Sequence, residues 1–358
     1  MLGFKKAAPT DGADLNMKSA TDLMPQQWTA RLDDHCLDLR WSSDGAMLAA
    51  MPSLGEIVIF SPTGETIAKL PGHAEGNGSI AWHPAENRLL TYGQDAEIRI
   101  HEAPFTAAPR IKALEKAWAE RAEWSADGTH LAAALGKTVV VLDAEKLGVV
   151  RRIPGQRSTI CDISWNPREP KEFATVCDGG VRLWKLGRDE PTGHFDWGGA
   201  SLISTWSPNG RWVVTGDQTP SVHLYDVRSK DPLHIQGYES KVKALAWQDK
   251  SEWLATGGGR MITIWPCTGK RGPRGSTPIQ LTGHTGDAVA MDFGPGGELL
   301  ASGGRDGLVL LWMPHKSENP ALISLQHREI TRVRWAPAEG HLAVGTEGGD
   351  VFIFSLQS

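Results

Sequence analysis

The 358-residue chain has only four cysteines and three tyrosines, and it has no apolar run of membrane-spanning length. Cys36, Cys161, Cys177 and Cys267 lie far apart, so no disulfide framework or Cys-x-x-Cys knuckle is implied, and a reducing compartment fits. A bilayer span takes about 18–20 consecutive apolar residues, so no membrane partner is expected. Neither sign of charge dominates: 37 basic residues stand against 42 acidic ones, for a net charge of −5. That balance argues against a general nucleic-acid binder, which carries a net basic stripe. Gly-x-Ser-x-Gly and His-Glu-x-x-His are absent, so the chain is expected to be no enzyme and to need no cofactor. Gly136-Lys137-Thr138 resembles the end of a phosphate-binding loop. However, Leu131 occupies the place of the required glycine and a β-like TVVVL follows, so a hairpin turn is expected. Residues 1–24 hold Lys5 and Lys6 without a following apolar stretch. They are expected to form a flexible leader to a single domain over 25–358, in the cytoplasm.

What the chain does contain is a period. Short β-like runs end in Trp41, Trp82, Trp124, Trp165, Trp206, Trp247, Phe293 and Trp335, mostly 41 residues apart. After each comes a turn cluster such as Asp127-Gly128 or Asn209-Gly210, suited to tight reversals because glycine accepts positive φ. An LAA, LAV or LAS run, a second Gly/Asp-rich turn and a third β-like run follow. Connectors such as Thr66–Leu70 and Val149–Ile153 supply a fourth strand. A period of about 40–45 residues with four short antiparallel strands marks a β-propeller. Such a sheet is apolar on both faces and is stable only between neighbours. The chain ends on a third strand and begins with an orphan run at 27–32, so that run is expected to complete the last unit. The count is then eight four-stranded antiparallel blades in an all-β propeller, with seven blades as the alternative.

These features resemble the WD-repeat family over about residues 26–356. In that family a His, a Ser or Thr, an Asp and a Trp lock each blade. The resemblance assigns those roles to His284, Ser302, Asp306 and Trp312, and to His73, Thr91 and Asp95 with His101 in the Trp position. A further unit keeps Thr175, Asp178 and Trp184 but has Gln156 where the His belongs. No Trp-Asp dipeptide occurs; Leu142-Asp143 and Tyr225-Asp226 stand at the corresponding place.

The resemblance implies a non-catalytic scaffold, a monomeric propeller within a complex, that meets protein partners through the loop face around its channel. Candidate partner-binding residues there are Arg260, Arg305, Trp197, Trp118, Lys241 and Arg157, since Arg and Trp are enriched among interface anchors. Trp197 is read as sitting in a flexible connector, and Cys267–Ser276 (CTGKRGPRGS) as a solvated spacer. His194 is grouped with the histidines of loops leading into first strands. The competing reading is a zinc- or copper-handling propeller, or a propeller enzyme, with a site at the channel mouth. Its metal would sit on His35, Cys36 and His327, whose units adjoin at the ring closure.

Overall fold

A computed structural model describes residues 26–115, 119–337 and 340–355. The expected leader and Trp118 lie outside the described residues. Within them the chain is an all-β propeller of four-stranded antiparallel blades. Each unit begins with an inner strand carrying the periodic aromatic near its end: Cys36–Trp41, Asn77–Trp82, Ala119–Trp124, Asp162–Trp165, the last half of Gly193–Trp206, Ala244–Trp247, Ala288–Phe293 and Ile330–Trp335. Each inner strand touches the next, and the last touches the first, so the ring closes.

Counted as hydrogen-bonded sheets, the described ring has seven members, the alternative number. Six have four strands and one has six. The six-stranded sheet holds the fourth and fifth repeat units. Glu172–Lys185 reverses at Asp178-Gly179-Gly180 without losing its ladder, and the register Asp178↔Ala200 carries the pairing into the next unit's inner strand. Gly180 is required here: its φ is 103°, and a Cβ would lie 2.1 Å from the Phe195 carbonyl oxygen.

Closure comes from the N-terminus, as the sequence implies. Gln26–Arg31 pairs antiparallel with Asp350–Ser355, in the register Trp28↔Ile353 and Ala30↔Val351. Trp28 packs on Phe60 of the first unit, with ring centroids 5.2 Å apart, and donates its indole N–H to the Pro62 carbonyl at 2.8 Å.

Eight buried apolar clusters occupy the junctions between successive units, among them Leu39, Trp41 and Leu48 with Ala343, Val351 and Ile353 across the closure. The periodic Trp does more than fill space. The indole N–H of Trp82 reaches back to the Arg40 carbonyl at 2.8 Å, Trp124 to Ala81 at 3.0 Å and Trp165 to Glu123 at 3.2 Å. Trp206 likewise donates to Ser164 at 2.9 Å and Trp41 to Arg334 at 3.1 Å. Each bond joins one inner strand to the strand before it, so the aromatics form a stitched girdle. Trp247 and Trp335 break the pattern, their indole N–H groups buried without a partner.

The locks form where expected and also where not. Trp312 donates to Ser302 Oγ at 2.8 Å, Ser302 lies 2.8 Å from His284 Nε2, and His284 Nδ1 lies 3.1 Å from Asp306. The carboxylate fixes the proton on Nδ1, leaving Nε2 to accept from the serine. His73 bridges Asp95 at 2.8 Å and Thr91 at 3.0 Å in the same way, and His101 approaches Thr91 at 3.4 Å. In the fourth unit Trp184 donates to Thr175 at 3.0 Å, but Asp178 turns outward to Arg157 at 3.5 Å.

Sequence reasoning missed two further locks. Tyr238, following Gly237 as His follows Gly elsewhere, lies 2.9 Å from Thr256 Oγ1, which accepts from Trp265 at 3.2 Å. In the fifth unit, fully buried Asp217 gathers Ser201, Thr215, Ser221 and His223 at 2.8–3.0 Å.

The Cys267–Ser276 segment is pinned, not loose. Arg211 donates to the carbonyls of Gly269 and Lys270, Arg274 pairs with Asp231 at 2.9 Å, and Gly272 lies against Trp212. A hydrogen-bonding guanidinium from the neighbouring unit overrides the looseness that Gly and Pro suggest. His194 falls on the outer part of Gly193–Trp206, paired with Arg182, and not in a loop.

Deleting residues 25–33 should leave Asp350–Ser355 as an open edge. We expect aggregation or a clear drop in melting temperature; a deletion variant that melts like the intact chain contradicts the closure. Asp306 gives a pH-dependent test. Burial alone would raise its pKa, but hydrogen bonds from His284 and the backbone N–H groups of Leu308 and Gly286 bring it down to about 2. A depressed carboxylate stabilises the fold above its unfolded value near 3.8 and loses that contribution as pH falls through about 2. Acid titration of the intact chain should therefore cost on the order of 2 kcal/mol over that window. Asp306→Asn should be less stable at pH 7 and flatter between pH 4 and 2. An unchanged acid limb would contradict the assignment.

Candidate functional site

The loops leading into first strands and the turns after second strands lie together on one face, each braced to its neighbour. Ser240 Oγ donates to Asp287 Oδ2 at 3.1 Å, and Ser53 bonds Asp34. Asp178 N donates to Ser158 Oγ at 2.9 Å, and Arg305 N donates to the Asp287 carbonyl at 2.9 Å. These braces run between loops that are distant in sequence, so the face is preformed.

On this frame Arg260 stands with its side chain 57% exposed, its Nε 3.6 Å from Glu239 and its backbone N–H donating to the same carboxylate at 3.3 Å. Arg305 pairs loosely with Glu329 at 3.3 Å and Arg157 with Asp178 at 3.5 Å, both side chains at least half exposed. Such exposed pairs contribute little to stability, typically about 0–1 kcal/mol, so their guanidinium groups remain available. Lys241 is exposed and forms no ion pair among the described residues. Arg260, Lys241 and Arg305 belong to the sixth and seventh units, which adjoin. Leu54, 58% exposed at the turn of the first unit, is an apolar member of the face that the sequence pattern did not reveal.

Trp197 differs from its expectation. It lies within the continuous strand Gly193–Trp206, and its indole packs 4.5 Å from the ring of His223 and 5.3 Å from that of His234. Gly199 makes room: a Cβ there would lie 2.7 Å from the indole. Packing accounts for this aromatic, although its N–H is buried without a partner. His223 and His234 stack beneath it at 4.1 Å with planes 7° apart, and burial together with the neighbouring His223 lowers the His234 pKa.

The proposed metal ligands are not brought together. Cys36 is fully buried against Gly345, and burial pushes its thiol up to about 12, so it is no ready thiolate. His35 is turned to Asp34 at 3.8 Å, while His327 is exposed on its own loop. Among the described residues no group of three His, Cys, Asp or Glu side chains is arranged to hold a metal ion. Gly136-Lys137 forms the turn between His130–Leu135 and Thr138–Asp143, a hairpin as read from the sequence.

Three segments, 148–185, 230–266 and 275–313, match the model of the WD domain, G-beta repeat. These are the units in which a third-strand Trp (Trp184, Trp265 or Trp312) donates to a Ser or Thr on the second strand. THO complex subunit 3 of Arabidopsis thaliana is 27% identical over 53% of this chain and 61% of its own length. Cell division cycle 20.1, cofactor of APC complex, also from Arabidopsis thaliana, is 31% identical over 40% of this chain and 33% of that protein. The ribosome biogenesis protein WDR12 homolog of Anopheles gambiae is 22% identical over 69% and 53% respectively. The chain thus spans less than two thirds of each of these relatives, from 33% to 61% of their length. The crystal structure of the computationally designed Ika8 protein superposes with a TM-score of 0.77 at 16% identity, covering 91% of this chain and 98% of that one, a likeness of fold alone. With three repeats matched and a Trp bonded to Ser or Thr in each, the chain is a β-propeller that carries WD repeats.

Proposed function

We propose that this propeller is a non-catalytic scaffold, a monomer within a larger assembly in the cytoplasm, that holds a protein partner on the loop face around its channel. The observation that carries this reading is the braced face itself, with exposed Arg260, Lys241 and Arg305 on adjoining units. A preformed surface loses little conformational freedom on association, so a few anchors suffice for useful affinity. The similar proteins point the same way, since one is named as a subunit of the THO complex and another as a cofactor of the APC complex. Arg157 and Trp197 are secondary contacts in this reading, the first salt-bridged and the second half-buried against His223 and His234.

Affinity purification of the tagged chain, followed by mass spectrometry, would identify the partner, and direct titration would then rank the anchors. Arg260→Ala and Arg305→Ala should each weaken that complex about tenfold, or about 1.4 kcal/mol, with melting temperature unchanged. A partner whose affinity is indifferent to both changes and to Lys241→Ala would place the interface elsewhere and overturn this assignment.

A further inference from the structure

The turns after first and third strands lie on the face opposite the loop face, and their charge is uneven. In the fifth unit the turn 226–231 follows the strand Ser221–Asp226; in the sixth, the loop 267–276 follows Ile262–Pro266. Two arginines bolt these segments together. Arg211 grips Asp226 at 2.7 Å and also donates to the carbonyls of Gly269 and Lys270. Arg274 grips Asp231 at 2.9 Å and donates to the Pro232 carbonyl at 2.6 Å. Beneath the loop, the Arg211 guanidinium lies 4.6 Å from the centre of the Trp212 ring, and Gly272 fits against the same indole. The turn is wound on Asp226, whose carboxylate accepts from the backbone N–H groups of Arg228 at 3.0 Å and Ser229 at 3.3 Å.

These pins use up the acids of the patch. Arg211, the turn and the loop together hold six basic side chains, Arg211, Arg228, Lys230, Lys270, Arg271 and Arg274, against two acidic ones, Asp226 and Asp231. Both acids sit in the arginine pins. Arg228, Lys230, Lys270 and Arg271 are exposed and form no ion pair among the described residues. The adjoining turn 248–252 is tied in by the bond from Asn209 N to Ser251 Oγ at 2.9 Å. It adds Lys250 against Asp249 and Glu252, so the surplus survives at seven basic to four acidic side chains. The loop also makes the interval from Trp247 to Phe293 46 residues, against 41 for most. A spacer needs neither two arginine clamps nor a surplus of one charge.

We infer that the pinned loop and turn form a second docking surface, for an acidic segment of a partner protein, with Lys270, Arg271, Arg228 and Lys230 as its contacts. Charge complementarity sets the chemistry: four unpaired cations on a fixed surface attract carboxylates and penalise basic chains. Holding the loop in place beforehand spares its ordering cost on association. A nucleic acid fits less well. Single strands bind on exposed aromatic rings, and the patch's own indole, Trp212, is buried beneath the loop. Duplexes call for a longer basic stripe than two adjoining turns. The inference does not rest on the loop-face reading, since none of these residues lies on that face.

Fluorescence anisotropy of a labelled hexaglutamate peptide, titrated with the full chain, tests it. The peptide should bind at one site per chain. Its affinity should fall as sodium chloride is raised from about 0.15 M to about 1 M, because exposed charges are screened. Lys270→Gln combined with Arg271→Gln should weaken binding at least about tenfold at unchanged melting temperature. Arg211 holds the loop by backbone carbonyls, which these substitutions keep. Arg228→Gln with Lys230→Gln should do the same from the neighbouring turn, and either pair decides the matter if the other fails to fold. Lys146→Gln, exposed on the same face of the third unit, should change nothing. Failure of the intact chain to bind the peptide overturns the inference, as does binding that Lys146→Gln weakens and the paired variants leave intact. A single-stranded oligonucleotide of equal charge that binds through the same four residues more tightly than the peptide would assign the surface to nucleic acid and equally sink it.

Discussion

Burial of both faces of every blade is the constraint from which the rest follows. A sheet whose second and third strands are almost wholly buried, such as Leu48–Pro52 and Ile57–Phe60, exposes a prohibitive apolar area when alone. Each fully buried Leu, Ile or Phe side chain contributes about 1.5–3 kcal/mol when covered, and a ring is the arrangement in which every face is covered. Directional bonds then set the spacing. An indole N–H that must find a partner in an apolar wall finds the carbonyl one inner strand back, which fixes the height of each blade against the last.

That constraint explains what was legible in the sequence. The girdle aromatics, the Asp-Gly and Asn-Gly reversals and the orphan N-terminal strand are local signals repeated about eight times, and repetition makes a weak signal strong. Ser42, Asp44 and Gly45 show the reversal's chemistry: Asp44 accepts from the serine hydroxyl and from Ala46 N, while Gly45 takes a φ of 73°. The His284 and His73 locks were readable because the usual residue types stand at the usual places. The Tyr238 lock was not, because a phenol hydroxyl replaces an imidazole and only geometry shows that it reaches Thr256. The Asp217 network was hidden for a related reason: its acceptor sits two residues after Thr215, whereas Asp306 follows Ser302 by four.

The functional site was less legible than the fold. Residue type and position correctly put Arg260, Arg305 and Lys241 on exposed loops, since turn chemistry predicts exposure well. Whether a large aromatic in a Gly-rich stretch is an anchor or a packed wall depends on what lies beneath it, and Trp197 lies on two stacked histidines. A metal site needs ligands converging within a few ångströms. Neighbouring units do not guarantee that convergence, as Cys36 shows by facing the junction core instead of the solvent.

The most direct measurement is amide hydrogen exchange along the two partners of the closure. The account predicts that Gln26–Arg31 and Asp350–Ser355 are protected together and open in one cooperative step. Exchange of 26–31 at the rate of an unstructured chain, with the other blades still protected, would contradict it.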